Sequence, residues 1–379
     1  MPLQRKLRYA MVGGGPGAFI GAVHRRAAVF DGLAELVAGS FSSHPDRSAA
    51  QGRELHLHPP RAYASYEEMA EREAALPPEE RIDFVSIVTP NDLHYPAACT
   101  FLKRGFHVVC DKPMTTTLDD AEALCRTVEE TGLVFALTHN YSGYPMVKQA
   151  RALVRDGALG EVRKVVVEYS QGWLAKPIEA GWRTDPVRAG AGALGDIGTH
   201  AEQLARYVTG LELERLLADV GTVVEGRKTD DDANLLLRYR GGVRGVMICS
   251  QISAGEENRL RLRVYGSDGA LEWHQETPNE LRLLRDDGAP EQVLRRGNDQ
   301  LCAEAKHATR LPSGHPEGFF EAFANVYSNV ERVIAARIAG ESPDPLDLDF
   351  PTARDGVLGV RFIERALRSG REGRWVEMA

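Results

Sequence analysis

Three groups of residues in this chain carry the means for chemistry. Asp196 and His200 stand four positions apart in a stretch that reads as a helix from about Asp196 to Val208. That spacing projects both side chains from one helix face, about a turn apart. An imidazole is the side chain suited to take a hydroxyl proton near neutral pH. The second group is Cys110-Asp111-Lys112-Pro113, directly after the apolar run His107-Val108-Val109-Cys110. A lysine at the C-terminal end of such a strand can hold a substrate hydroxyl and, with its pKa lowered, help pass the proton. The third is Gly13-Gly14-Gly15-Pro16-Gly17-Ala18-Phe19-Ile20-Gly21, between the strand Tyr9–Val12 and a helical pattern. Glycines there let the backbone reverse and bring amide N–H groups to a pyrophosphate, with the helix N-terminus adding positive potential. Gly13 and Gly15 fit the Gly-x-Gly-x-x-Gly spacing; the third small residue is Ala18 or, three positions late, Gly21, which reads as a local insertion.

A dinucleotide site usually carries an acid at the tip of the second strand. Here that strand ends in Ser42-Ser43-His44-Pro45-Asp46-Arg47. Ser42, Ser43 and Arg47 suit a 2′-phosphate and so NADP, whereas Asp46 can reach a ribose, which leaves NAD and NADP nearly even.

These groups need a frame. From Arg8 to about Leu137 short apolar runs alternate with helical patterns: Tyr9–Val12, Leu33–Ala38, Phe84–Val88, His107–Cys110 and Leu133–Leu137 are the strands. Apolar strands alternating with helices predict a doubly wound parallel sheet covered on both faces. Gly21–Phe30, Tyr66–Leu76, Tyr95–Arg104 and Leu118–Glu130 are the helices, with Thr117 as an N-cap. After about Tyr144 the pattern becomes β-rich. Val162–Ser170, Ala233–Tyr239, Val243–Ile252, Arg259–Tyr265, Ala270–Trp273 and Glu280–Leu284, separated by turns such as Arg240-Gly241-Gly242, predict hairpin-linked antiparallel strands. The expected division is a dinucleotide-binding domain over 1–143 and an α/β domain over 144–379, whose final helices, about 316–379, are placed to return to the first domain.

Composition sets outer limits. The chain has 379 residues, 43% hydrophobic and 26% charged, enough for a sizeable core in two domains. A net charge of −8 without a basic run argues against nucleic acid. The five cysteines show no Cys-x-x-Cys spacing and read as reduced thiols of a cytoplasmic protein, with no metal site. The basic N-terminus, Met1 to Arg8, runs into a strand rather than a signal-peptide core, and no apolar stretch is long enough to span a membrane. His56-x-His58 lacks an acid or cysteine partner at ligand spacing, and the adjoining Pro59-Pro60 indicates a loop. His315-Pro316-Glu317 reads as a helix-opening cap.

Taken in order, the motifs resemble those of the glucose-fructose oxidoreductase, inositol dehydrogenase and rhizopine-catabolism (Gfo/Idh/MocA) family over essentially the whole chain. They are the glycine turn with Gly21-x-x-His24, Thr89-Pro90-Asn91-x-x-His94, Cys110-Asp111-Lys112-Pro113, and Gly195-Asp196-Ile197-Gly198-Thr199-His200. Asp111 departs from the family's Glu-Lys-Pro by one methylene. The resemblance implies a Rossmann domain followed by an α/β domain with a large open, mostly antiparallel sheet that often forms a homo-oligomer interface, as dimer or tetramer. It also implies hydride exchange between NAD(P) and a hydroxyl of a sugar, glycoside or cyclitol. By the same resemblance His200 is the acid/base, Asp196 binds a substrate hydroxyl or orients the site, and Lys112 completes the triad. Cofactor contacts are implied for Gly13, Gly15, Pro16, Gly17, Ala18, Phe19, Ile20, Ser42, Ser43, Arg47, Thr89, Pro90, Asn91, His94, Asp111, Lys112, Asn140, Trp182 and Arg183, with His94 capping the next helix. Substrate contacts are implied for Lys112, Tyr141, Trp173, Lys176, Arg183, Asp196 and His200. Aromatic and cationic groups of that kind suit a sugar's apolar face and its hydroxyls. Two alternatives use the same motifs. One is a glycosidase that oxidises C3 transiently, eliminates the aglycone and adds water, recycling its NAD. The other is a non-catalytic dinucleotide sensor, against which the intact Lys112, Asp196 and His200 argue.

Overall fold

A computed structural model of the protein describes residues 3–58, 61–178 and 181–379. Pro59 and Pro60 of the expected loop, and Met1 and Pro2 of the basic N-terminus, lie outside the described residues. The chain divides into two compact units, Met1–Asn140 with Phe319–Val357, and Tyr141–Gly318 with Leu358–Ala379.

The first unit is built on five parallel strands, β1 (Leu7–Gly13), β2 (Ala34–Ser40), β3 (Phe84–Val88), β4 (His107–Cys110) and β5 (Phe135–Leu137), in the order β2-β1-β3-β4-β5. Helices α1 (Phe19–Val29), α2 (Pro45–Glu54), α3 (Tyr66–Ala74), α4 (His94–Leu102) and α5 (Leu118–Thr131) connect them. Every residue of β3 and β4 is buried, as a strand covered on both faces requires. Thr117 does cap α5, its side chain accepting from the Asp120 N–H. The long helix Phe319–Ala339 belongs to this unit and contributes Phe323, Tyr327, Val330 and Ile334 to a core shared with Tyr9, Met11, Phe84 and Val109. Strand order reverses at β1, with β2 on one side and β3 on the other, so the C-terminal ends of β1 and β3 flank the crevice where doubly wound sheets bind ligands.

The second unit opens with α6 (Pro145–Arg155) and carries a nine-stranded sheet. Its strands are β6 (Val162–Ser170), β7 (Leu213–Gly221), β8 (Asp232–Tyr239), β9 (Arg244–Ser250), β10 (Arg259–Gly266), β11 (Gly269–His274), β12 (Glu280–Arg285), β13 (Gln292–Arg295) and β14 (Val376–Glu377). Alternation places Leu260, Leu262 and Val264 of β10 in the core and Arg259, Arg261 and Arg263 on the other face. The sheet is mostly antiparallel, as expected, and β6 and β9 are its parallel pair. The helical segment between β6 and β7 and the two hairpin steps β7-β8-β9 return the chain to β6 in the same direction. Strands β7, β13 and β14 were not apparent from the pattern. Between β6 and β7 come the short α7 (Pro186–Ala189), a π turn (Leu194–Gly198) and α8 (Thr199–Thr209). Glu317 does not cap the helix after it. Its buried carboxylate pairs with Arg296 and accepts the N–H groups of Arg310 and Leu311.

Candidate active site

In the first unit the site begins at the glycine turn, where Gly13, Gly14 and Gly17 all have positive φ, 81°, 67° and 79°. A side chain on Gly13 would stand 2.8 Å from the Val88 carbonyl at the end of β3, so backbone and crevice meet directly here. The third-glycine role falls to Gly21. A Cβ there would lie 2.4 Å from the Gly14 Cα, so this glycine, rather than Ala18, lets α1 pack against the turn. Pro16, Gly17 and Phe19 are exposed and Gly15, Ala18 and Ile20 half-buried. At the tip of β2, Ser43 and Arg47 are exposed, and Ser42 Oγ accepts the His44 N–H at 3.1 Å.

The ends of β3, β4 and β5 carry the next group. Thr89 Oγ1 and Asn140 Nδ2 are buried and make no hydrogen bond among the described residues. Orphan donors of this kind, with the glycine cradle, fit a polar ligand such as a dinucleotide at these strand ends. Asn91 is buried and Pro90 half-buried. His94 does not cap α4, whose N-cap is Leu93. Its buried ring instead sits between the Pro113 carbonyl (2.8 Å) and the Thr89 carbonyl (3.0 Å), tying two strand-end loops together. A neutral ring has one N–H for these two acceptors, and burial lowers the His94 pKa despite Asp111. Burial would push the Asp111 carboxyl up. His24, Lys112 and His94, with the Lys112 N–H at 2.8 Å, outweigh it and hold the group below the usual range.

In the second unit Asp196 lies inside the π turn and His200 in the first turn of α8. The four-residue spacing therefore crosses a change of helical pitch, a local geometry often met at functional sites. Asp230 sets where this segment starts, its carboxylate accepting the Gly192 N–H (2.6 Å) and the Leu194 N–H (2.7 Å). Gln251, just past β9, donates to Asp196 Oδ2 at 2.8 Å. His200 is buried, and the Tyr141 ring meets it edge-on with centroids 4.8 Å apart. Tyr141 is itself buried, and its hydroxyl is bonded to the Tyr169 hydroxyl and accepts from Asn258 Nδ2. Asn258 Oδ1 accepts from Tyr169 (2.7 Å) and from Gln171 Nε2 (2.7 Å), and Gln171 Oε1 accepts from the Trp173 indole N–H (3.0 Å). One chain of hydrogen bonds thus runs from the residue backing His200 to the half-exposed ring of Trp173.

Lys176 is exposed, its carbonyl accepting from Arg227, and the Arg183 guanidinium stacks 4.6 Å over Trp182. Tyr169, Gln171, Gln251 and Asn258 escaped sequence reasoning. Gly14 escaped it too, as the partner against which Gly21, one of the two candidates for the third small residue, packs. Among the described residues no cluster of three or more His, Cys, Asp or Glu is arranged to hold a metal. No helix among them is long and apolar enough to cross a membrane.

A dinucleotide-binding parallel sheet, joined in one chain to an α/β unit bearing an aspartate–histidine pair, defines the class of nicotinamide-dependent oxidoreductases. Comparison with known proteins agrees. The family described as an oxidoreductase family with NAD-binding Rossmann fold matches residues 7–139, and the GFO/IDH/MocA C-terminal domain matches 147–272. The uncharacterized oxidoreductase YfiI of Bacillus subtilis is 34% identical over 99% of this chain and 98% of its own. Among solved structures, an oxidoreductase from Sinorhizobium meliloti is 46% identical with TM-score 0.91, covering 98% of this chain and 100% of that one. An inositol dehydrogenase homolog from Azotobacter vinelandii, complexed with NADH and myo-inositol, is 37% identical with TM-score 0.93, covering 99% and 98%. The chain belongs to the Gfo/Idh/MocA family of NAD-binding oxidoreductases.

Proposed function

We propose that this protein is a cytoplasmic NAD-dependent dehydrogenase acting on a hydroxyl of a cyclitol or sugar, with residues 1–143 binding dinucleotide and 144–379 binding substrate. The observation that carries the reading is the held pair in the second unit: Asp196 fixed by Gln251, and His200 buried against Tyr141. The likeness to an inositol dehydrogenase homolog that binds NADH and myo-inositol supports the substrate class. NADP stays the alternative, and Ser42, Ser43 and Arg47 are the residues that would meet its extra phosphate.

The nicotinamide, when bound, supplies the hydride acceptor. The glycine turn, Thr89, Pro90, Asn91 and Asn140 hold the cofactor, the last two by side-chain amides. Lys112 donates a hydrogen bond to the reacting hydroxyl oxygen and favours its deprotonation. A ring nitrogen of His200 accepts that proton, and Asp196 binds an adjacent hydroxyl while Gln251 keeps its carboxylate aimed. Trp173 offers an aromatic face to the apolar side of the ring, and Lys176 and Arg183 offer charge to its polar substituents.

Supporting a reducing compartment, all five cysteines are free. Homo-oligomerisation through the open sheet is supported by a row of apolar side chains crossing four neighbouring strands, Leu217, Leu236, Val246 and Val166, exposed or half-buried. The test incubates purified protein with NAD or NADP and a panel of cyclitols, sugars and aryl glycosides, following reduced cofactor and free aglycone together. Reduced cofactor in proportion to substrate is expected. Aglycone release with only catalytic cofactor would establish the redox glycosidase instead, and neither product would sink both readings.

A further inference from the structure

We infer that His24 is a positioning residue that acts through Asp111 on Lys112, aiming a single N–H at the carboxylate that pins the lysine's backbone. The inference rests on the role proposed above for Lys112. His24 lies on α1 and is fully buried. Its Nδ1 is 2.8 Å from the Tyr327 hydroxyl, which is 2.7 Å from Ser86 Oγ. Its Nε2 makes no hydrogen bond among the described residues and stands 3.9 Å from Asp111 Oδ1. That same oxygen accepts the Lys112 N–H at 2.8 Å and the Thr138 hydroxyl at 3.0 Å. Ser86, Tyr327, His24 and Asp111 thus form one buried line across the first unit, ending at the residue before Lys112.

The direction of the line follows from charge. Burial holds His24 neutral, so the ring carries one proton. With that proton on Nδ1, the Nε2 lone pair would face a carboxylate, which is repulsive. With Tyr327 donating to Nδ1, and Ser86 donating to Tyr327, the proton stands on Nε2 and points at Asp111. A neutral donor in this place steadies the carboxylate without cancelling the negative charge beside Lys112. The charged and titratable groups around the line are Asp111, His94 and Arg25 about His24, and Tyr9 and Glu331 about Tyr327. The Lys112 N–H and the Thr138 hydroxyl hold Asp111 Oδ1 directly, and the His24 N–H adds an oriented dipole to the same oxygen from 3.9 Å.

Two substitutions separate this role from mere packing. His24→Gln keeps an amide donor near the Nε2 position, facing Asp111, whereas His24→Asn keeps one only near Nδ1, facing Tyr327. With NAD and myo-inositol, His24→Asn is expected to lower kcat by about tenfold or more, because a misplaced catalytic group costs rate out of proportion to its displacement. Its acid limb moves to higher pH as Asp111 loses the N–H dipole aimed at it, while KM for NAD stays as in the wild type. His24→Gln recovers most of the rate and the wild-type limb. Equal loss in both variants, or wild-type kcat and pH profile in His24→Asn, would overturn the inference. A second readout needs no turnover. Imidazole 15N spectra of the cofactor-free protein should show His24 as the Nε2–H tautomer, with a resonance that shifts in Asp111→Asn; an Nδ1–H tautomer would also overturn it. An unaltered rate in Lys112→Met would defeat the functional reading alone and leave the tautomer result to decide the His24–Asp111 contact.

Discussion

The two units hold their site residues by different means. In the first, backbone does the holding: glycines with positive φ turn the chain after β1, and carbonyls at the ends of β3 and β4 fix His94. In the second, side chains do it: Gln251 holds Asp196, and Tyr141, Tyr169, Asn258 and Gln171 link His200 to Trp173. A backbone device tolerates little change in its few glycines. A side-chain device can be retuned residue by residue, which suits the substrate-binding role proposed for the second unit.

Substitutions should separate the two designs. His200→Ala removes the proposed proton acceptor and should lower kcat by about 100-fold or more, roughly 2.7 kcal/mol or more, while NAD titration of the whole protein gives an unchanged Kd. Equal activity would sink the assignment. Gly21→Ala forces a methyl against the Gly14 backbone and should cost about 1–3 kcal/mol of stability, read in urea melts, together with weaker NAD binding. A wild-type melt with full affinity would mean the turn is not held as described. Asn258→Ala cuts the chain that backs Tyr141 and should lower kcat about tenfold with NAD affinity intact, since a buried hydrogen-bonded network loses more than one contact when a member is removed. If NAD affinity fell as far as kcat, the division between the units would fail.

Acid should act on the first unit more gently. His24 and His107 are buried there with pKa values pushed down to about 4, chiefly by burial. The unfolded chain binds protons that the folded unit refuses, so stability is lost as pH falls from about 6.5 toward 4, by about 1 kcal/mol per histidine at pH 6. Melting at pH 6 and 7.5 measures this, and replacing His107 with Asn should flatten the difference. An unchanged difference would mean that His107 is not held neutral.

The same contrast explains what could be read in advance. The glycine turn, Lys112 and the Asp196–His200 spacing are local, and each announces itself within ten residues. The network behind His200 is not local: Gln171 meets Asn258 across 87 residues and Tyr141 meets Asn258 across 117, through sheet register that no short window contains. Strand β7 hid for a related reason, because Glu214, Arg215 and Asp219 interrupt its alternation. Helix α2 buries only Ser48, Gln51 and Gly52 and so shows no apolar stripe. His94 looked like a cap from its place before an apolar run, but its ring is claimed by two carbonyls brought together by the ends of β3 and β4.

In the proposed reaction this chain moves hydride from a carbinol carbon to NAD while His200 takes the hydroxyl proton. Its most direct test supplies myo-inositol, and the other polyols of the panel, deuterated at the carbinol carbons, and weighs the nicotinamide recovered from wild type and His200→Ala. One deuterium is expected in the reduced cofactor formed by the wild type and almost none with the variant, though both bind NAD alike. Reduced cofactor without deuterium, or equal labelling by the two proteins, would contradict it.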